Sequence, residues 1–327
     1  MSNILAIDGG GIRGIVTANW LDTLRAQLKQ PLHEKFDIVV GVSIGAVLAC
    51  MVSSGLTDST IKKPIFEGQS EHLYTDTLVA QVTAVFPSGF KWFANYVKRM
   101  FKQGLSAPKH DHKPLEQALR KFFGDMRFGE LKTTTLILGY DTIKRHALVF
   151  KSDDPRHRDL PVWQVVMASA AAPTYFPAVA ITLPSERVMS VIDGGVVATN
   201  PVLCGIAEAK VRGAKIDDIV AVSLGANNTA RPVSLKEAQE WGRLEWAIKG
   251  FSHSPILDVL FDGPDDANNY IARQMIGDRY LRLVLPSLGV EMDDASKKSV
   301  KKLQSAAVEH MRSDAGVKWM KLVKTSL

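Results

Sequence analysis

Cysteine is nearly missing. The 327-residue chain has only Cys50 and Cys204. Both sit in apolar runs and neither belongs to a Cys-x-x-Cys pair. A disulfide framework is excluded by count, and no metal site is expected. Buried free thiols in a reducing compartment are the simplest reading. Blocks of like charge are missing as well, with no run of five or more, so no charged interaction tail is expected. Lys and Arg outnumber Asp and Glu by 40 to 34, a net charge of +6. That mild excess suits anionic surfaces or ligands and gives no ground for a nucleic-acid partner. The N-terminus lacks a basic stretch followed by an apolar core, so a cytoplasmic location without a secretion signal is expected. One stretch, residues 38–56, carries no charge over 19 residues, near the length that spans a bilayer. Gly41, Ser43, Gly45, Ser53, Ser54 and Gly55 interrupt it. A buried strand, a tight turn and a buried helix explain it better.

What is present is ordinary globular material: 46% hydrophobic and 23% charged residues, enough for a sizeable core. The length fits one large α/β body. Apolar runs at residues 3–7, 36–40, 134–140, 147–150, 188–192, 219–224 and 280–285 read as strands. Residues 15–28, 44–52 and 162–171 read as helices, the last ended by Pro173. The opening rhythm of strand, turn, helix implies a mostly parallel sheet with helices on its faces. Residues 57–129 break that rhythm and read as a helical, aromatic, basic insertion. A soft boundary near Asn227 separates a catalytic domain (1–227) from a mainly helical extension (228–327) packed on the same body.

Three glycine-bearing turns follow strands. Gly41-Val42-Ser43-Ile44-Gly45 lies between an apolar strand and an apolar helix. That is the context in which a sharp turn projects a serine hydroxyl from a sheet edge toward a helix N-terminus. Asp8-Gly9-Gly10-Gly11-Ile12-Arg13-Gly14 also joins strand to helix. Its free backbone N–H groups can converge on an oxyanion, and Arg13 can hold a phosphate or anchor the loop. The loop is not a Walker sequence. Gly9, Gly11 and Gly14 do match a dinucleotide fingerprint, but the second strand runs into the serine turn where that fold wants an acidic residue. Asp193-Gly194-Gly195 ends a third strand and is followed by Asn200-Pro201. A carboxylate there is a candidate general base, although Asp-Gly alone is common in plain turns.

The combination is more specific. The Asp-Gly-Gly-Gly-x-Arg-Gly loop, then Gly-x-Ser-x-Gly, then Asp-Gly-Gly 150 residues after the serine, resembles the patatin-like phospholipase family. Ser169-Ala170-Ala171-Ala172-Pro173-Thr174-Tyr175-Phe176-Pro177 is similar to the Ser-x-Ala-x-Pro-x-x-Phe-x-Pro segment of that family. The four motifs span roughly residues 4–225. The resemblance implies a three-layer α/β/α sandwich and a Ser–Asp dyad without histidine or metal. Ser43 would be nucleophile and Asp193 base, with Gly9, Gly10, Gly11 and Arg13 forming the oxyanion hole. Gly41, Gly45, Gly194 and Gly195 would support these motifs. It implies phospholipase A-type hydrolysis of membrane glycerophospholipids with no cofactor required.

A Ser–His–Asp triad would need Asp193 with His253 or His310, and neither histidine sits in a turn near a strand end. His110-Asp111-His112 reads as a solvated loop. The stretch 86–105 combines Phe90, Trp92, Phe93 and Phe101 with Lys98 and Arg99, without an acidic residue. It reads equally as a cap helix and as a peripheral contact with the inner membrane. At a coarser level the architecture resembles the bacterial patatin-like phospholipases of anti-phage defence. That resemblance implies antiviral defence and activation by a cyclic di- or trinucleotide held by basic residues of the insertion or C-terminal helices. A homo-oligomer is left open. The competing readings are a constitutive patatin-like esterase or lysophospholipase, a nucleotide-binding oxidoreductase, and a binding module without hydrolase activity.

Overall fold

The computed structural model describes residues 1–55, 73–85, 108–183, 187–226, 232–247 and 254–327. Its framework is one eight-stranded sheet in the order β5-β6-β3-β2-β1-β7-β8, with β4 paired to β3 off that path. The strands are β1 (Ser2–Ile7), β2 (Ile38–Gly41), β3 (Thr134–Asp141), β4 (His146–Lys151), β5 (Val179–Thr182), β6 (Val188–Asp193), β7 (Ile219–Ala226) and β8 (Tyr280–Leu285). The run β3-β2-β1-β7-β8 is parallel, whereas β4, β5 and β6 pair antiparallel.

The central strands are apolar on both faces because both faces are covered. In β1, Leu5 and Ile7 point into one core and Ile4 and Ala6 into the other. The larger core is covered by α1 (Gly14–Leu28), α2 (Ile44–Ser54), α3 (Leu73–Val85), α4 (His112–Phe123) and α5 (Val162–Ser169). The smaller core is closed by α6 (Val202–Val211) and α7 (Pro255–Ile276), through Val202, Ile206, Ala272 and Ile276. Helices α8 (Lys297–Arg312) and α9 (Asp314–Ser326) return to the first face, where Leu303, Ala307 and Trp319 join the larger core. The result is the expected three-layer α/β/α sandwich.

Two features differ from the sequence expectation. Strand β5 is additional. It is a four-residue edge strand, alternately buried and exposed, too short to stand out beside Pro177. Helix α5 stops at Ser169 rather than at residue 171, because the Ala171 N–H turns to the Ala168 carbonyl, three residues back, and leaves the helical ladder. The segment 57–129 contributes α3 and α4, and α3 is fixed to α1 by a buried carboxylate. Asp22 accepts from the Tyr74 and Thr75 backbone N–H groups, both at 3.0 Å, and from Thr75 Oγ1 at 2.7 Å. Residues 228–327 contribute β8 to the same sheet, beside β7.

The pairing of β3 positions the site. Its residues Thr134 to Ile137 pair with β2, and Gly139 to Asp141 pair with β6. Because β4 pairs with Leu136 through Asp141 and so occupies the other edge, β2 and β6 share one edge of β3 and run toward each other. Their C-terminal ends, Gly41 opposite Ile137 and Asp193 opposite Gly139, face one another across Leu138. The chain order also reverses about β1, which has β2 on one side and β7 on the other. Crevices form at the carboxyl ends of strands at such a point.

Candidate active site

Ser43 opens α2 with φ 56° and ψ −125°, a conformation that strains a side-chain-bearing residue. Close packing forces the turn. A Cβ on Gly45 would overlap the Ile7 and Asp8 carbonyl oxygens, and one on Gly41 would overlap the Gly45 carbonyl. The Ser43 backbone N–H donates to Ser169 Oγ at 2.9 Å. The residue is 8% exposed and lines the cleft.

Asp193 caps the turn that follows β6, its Oδ1 accepting from the Gly195 N–H at 2.7 Å. A Cβ on Gly194 would overlap the Leu138 carbonyl, so only glycine lets the chain leave the sheet here. The Asp193 carboxyl and Ser43 line the same hollow, and Ser43 is near enough to pull the pKa of the carboxyl down. It is 1% exposed, and burial pushes its pKa up to about 6 against the pull of the Gly195 N–H and of Ser43. Such a carboxylate has the basicity to take a proton near neutral pH.

The glycine loop lies against the same serine: a Cβ on Gly9 would sit 3.3 Å from that of Ser43. The structure divides the loop's N–H groups. Gly9 N–H is spent on the Thr199 carbonyl at 3.1 Å, and Ile12 N–H on the Met292 carbonyl at 2.9 Å. Among the described residues nothing accepts from Gly10 or Gly11 N–H. Gly10 (φ 144°) and Gly11 (φ 60°) adopt backbone conformations that favour glycine. Arg13 is buried, and its Nε bonds back to the Gly10 carbonyl at 2.9 Å. Burial lowers its pKa against the fields of Asp262, Glu291 and Asp258. Its charge is therefore met from within the protein, which fits the anchoring role and leaves it a poor phosphate holder.

Asp8, at the head of this loop, makes a two-pronged ion pair with Arg282 of β8, at 2.7 and 2.5 Å. Arg282 also donates to Ser223 Oγ at 2.8 Å and to Asp265 of α7 at 3.3 Å. Burial raises Asp8 to about 7 against the pull of Arg282, while the pair holds Arg282 firmly charged.

Two hollows meet at Ser43. One encloses about 810 Å³, open solvent included, and is the more polar of the two, with Asp193, Gly10, Arg13, Thr199 and Asp258 in its wall. The other encloses about 590 Å³ and is apolar, walled by Ile44, Val47, Val82, Leu115 and Phe176. Tyr175 and Met292 border both. Helix α7 roofs the polar hollow with Leu257 and Phe261, whose ring would be 2.7 Å from a Cβ on Gly195. Among the described residues no histidine lines either hollow. His310 packs at a tilt against Trp20, and His253 lies outside the described residues. His110 is not in a solvated loop: it is buried against Tyr175 and Phe176 and bonds Asp293 at 2.9 Å. Among the described residues no cluster of three or more His, Cys, Asp or Glu side chains is placed to hold a metal ion. Phe90, Trp92, Phe93, Lys98, Arg99 and Phe101 fall outside the described residues.

Sequence reasoning gave Arg282, Met292 and α7 no role. Arg282 had left a signal, as the single charge in the otherwise apolar or aromatic strand Tyr280–Leu285. Met292 had none, because it acts through its backbone carbonyl.

A serine on a strained turn between strand and helix, next to a buried carboxylate and a glycine loop, places this molecule among α/β proteins with a nucleophile-elbow geometry. Residues 5–203 match the patatin-like phospholipase family. The chain is 26% identical over 295 residues to Patatin-like protein 2 of Oryza sativa subsp. indica, covering 81% of this chain and 71% of the relative. It is 27% identical over 357 residues to Patatin-like protein 1 of Arabidopsis thaliana, covering 96% and 84%. Among solved structures, VipD from Legionella pneumophila aligns with 99% of this chain and 67% of its own, at 15% identity and a TM-score of 0.48. The chain belongs to the patatin-like phospholipase family, and it is a hydrolase of lipid acyl esters.

Proposed function

We propose that the protein is a phospholipase A-type enzyme working through a Ser43–Asp193 dyad. The observation that carries this reading is the placement of Ser43, on its strained turn, in the same hollow as a buried carboxyl raised to about 6. Asp193 takes the Ser43 proton as Oγ attacks the ester carbonyl, and the unspent N–H groups of Gly10 and Gly11 receive the oxyanion. Collapse of the intermediate, with Asp193 passing that proton to the leaving oxygen, releases the lysolipid and leaves an acyl-serine and an ionised Asp193. Water, deprotonated by Asp193, then frees the fatty acid. The apolar hollow suits the acyl chain, and the polar hollow suits the glycerol and headgroup. No cofactor or metal takes part in this reading.

The enzyme would meet its substrate peripherally, at the inner membrane. Among the described residues no helix is long and apolar enough to cross a membrane. The outer face of α7 exposes Ile256, Val259 and Leu260, next to the turns that roof the cleft. Activation by a cyclic di- or trinucleotide in antiviral defence is the regulatory part of the proposal. It is favoured by the exposed lysines Lys297, Lys298, Lys301 and Lys302 at the start of α8.

The test is fatty-acid release from mixed phospholipid vesicles by wild type, Ser43→Ala and Asp193→Asn, with and without a panel of such nucleotides. Release should fall by at least about a thousandfold in both variants. Release dependent on one nucleotide supports the switch, and equal release without any overturns it. No release by folded wild-type protein under any condition overturns the phospholipase reading.

A further inference from the structure

Ser169-Ala170-Ala171 has no chemistry in the proposed reaction, yet it touches the backbone of both reacting residues. Ser169 ends α5 and is fully buried. Its Oγ donates to the Leu138 carbonyl at 2.6 Å and accepts the Ser43 backbone N–H at 2.9 Å. Two residues on, the Ala171 carbonyl accepts the Asp193 N–H at 3.0 Å. Leu138 is the residue of β3 that lies between the partner of Gly41 and the partner of Asp193. Here β2 and β6 end face to face, and this short segment bridges the gap between them.

A hydroxyl can accept from an amide and donate to a carbonyl at once. An alanine would leave both buried backbone groups without this partner. It would also release one restraint on Ser43, whose φ of 56° must be held by its surroundings. With its N–H given to Ser169, Ser43 has no backbone donor left for an oxyanion.

We propose that Ser169 is a positioning residue: by bonding the Ser43 N–H and the Leu138 carbonyl together, it holds the nucleophile in register with Asp193. The inference rests on the Ser43–Asp193 reading. It predicts a defect in the chemical step alone, because Ser169 lines neither hollow.

The experiment compares wild type with Ser169→Ala, Ser169→Thr and Ser169→Cys. Steady-state constants are measured on a short-chain p-nitrophenyl ester, alongside the labelling rate of Ser43 by a fluorophosphonate and the thermal melt. Ser169→Ala should lower kcat and the labelling rate by about 10- to 100-fold, the range for a misplaced reacting group. KM should stay within about twofold, since uniform binding is untouched. Ser169→Thr, which keeps the hydroxyl, should recover most of kcat. Ser169→Cys, with its weak donor and acceptor, should fall between, and it serves if the threonine methyl is not accommodated. Ser169→Ala with unchanged kcat and labelling overturns the inference. So does a loss that tracks the melt across all three variants without recovery by hydroxyl or thiol. If wild type itself is neither labelled nor active, or if Ser43→Ala is as active as wild type, the dyad reading fails instead.

Discussion

The turn Gly41–Gly45 and the loop Asp8–Gly14 meet at the same hydroxyl, but their supports come from different parts of the chain. The serine turn is shaped mainly by neighbours: the end of β1, the first turn of α2 and, from further on, Ser169. The glycine loop depends on residues nearly three hundred positions away. Arg282 pairs with Asp8, and the Met292 carbonyl receives Ile12 N–H while lying where a Cβ of Gly11 would be. The nucleophile is thus built into the first strands, whereas the oxyanion loop is completed only when the C-terminal segment docks. Substituting each loop tests that division.

The largest effect is expected at Gly45→Ala. The added methyl meets two carbonyl oxygens at the end of a central strand, and neither can move without breaking the sheet. The variant should not give soluble folded protein, measured by expression yield and circular dichroism. Gly11→Ala is the matching change in the other loop. It too meets a backbone carbonyl and a φ of +60°, but Met292 lies in a loop between β8 and α8. The variant should fold with a loss of a few kcal/mol, in the range for strain and overpacking. Activity should drop more than stability does. Equal tolerance of the two substitutions would erase the distinction.

Arg282→Met comes next. It leaves Asp8 buried without its partner, a situation that costs about 3–5 kcal/mol. The melting temperature should fall accordingly. Asp8→Asn combined with Arg282→Met should recover part of the loss, because no unpaired charge then remains. Activity should not return with it, since the loop has lost its C-terminal anchor. A double variant as active as wild type would show that the ion pair serves stability alone.

This division also explains what could be read in the sequence. Ser43 and Asp193 were legible because each announces itself locally, with glycines at the positions where a Cβ has no room. Their juxtaposition was not, since it depends on β6 running against β2 along one edge of β3, and no spacing encodes that. Gly9, Gly10 and Gly11 look alike as letters. Only the Thr199 carbonyl, delivered by the turn before α6, separates Gly9 from the other two. Residues 228–327 resembled a helical extension because most of that segment is helix, and its hold on the glycine loop rests on one arginine and one carbonyl.

The smallest effect, and the most diagnostic, is the pH response of Asp193. Its pKa is raised from 3.8 to about 6 by burial. As a base it works ionised, so kcat/KM should rise through a single limb near pH 6. A limb nearer 7 would instead assign control to Asp8, which burial raises to about 7. Stability moves the opposite way. The folded state holds this proton more tightly than the unfolded chain, so the group's stabilising contribution is complete below about pH 4 and is lost as pH rises through 6. At neutral pH that loss amounts to about 3 kcal/mol, taking roughly 1.4 kcal/mol per unit of pKa. Asp193→Asn removes the charge while keeping an acceptor for the Gly195 N–H. It should therefore be inactive yet melt higher than wild type at pH 7.5, with the gap narrowing toward pH 4. A variant that melts lower at pH 7.5 would mean that the Gly195 N–H and the nearby Ser43 outweigh the burial of the charge, and that Asp193 is no strained base.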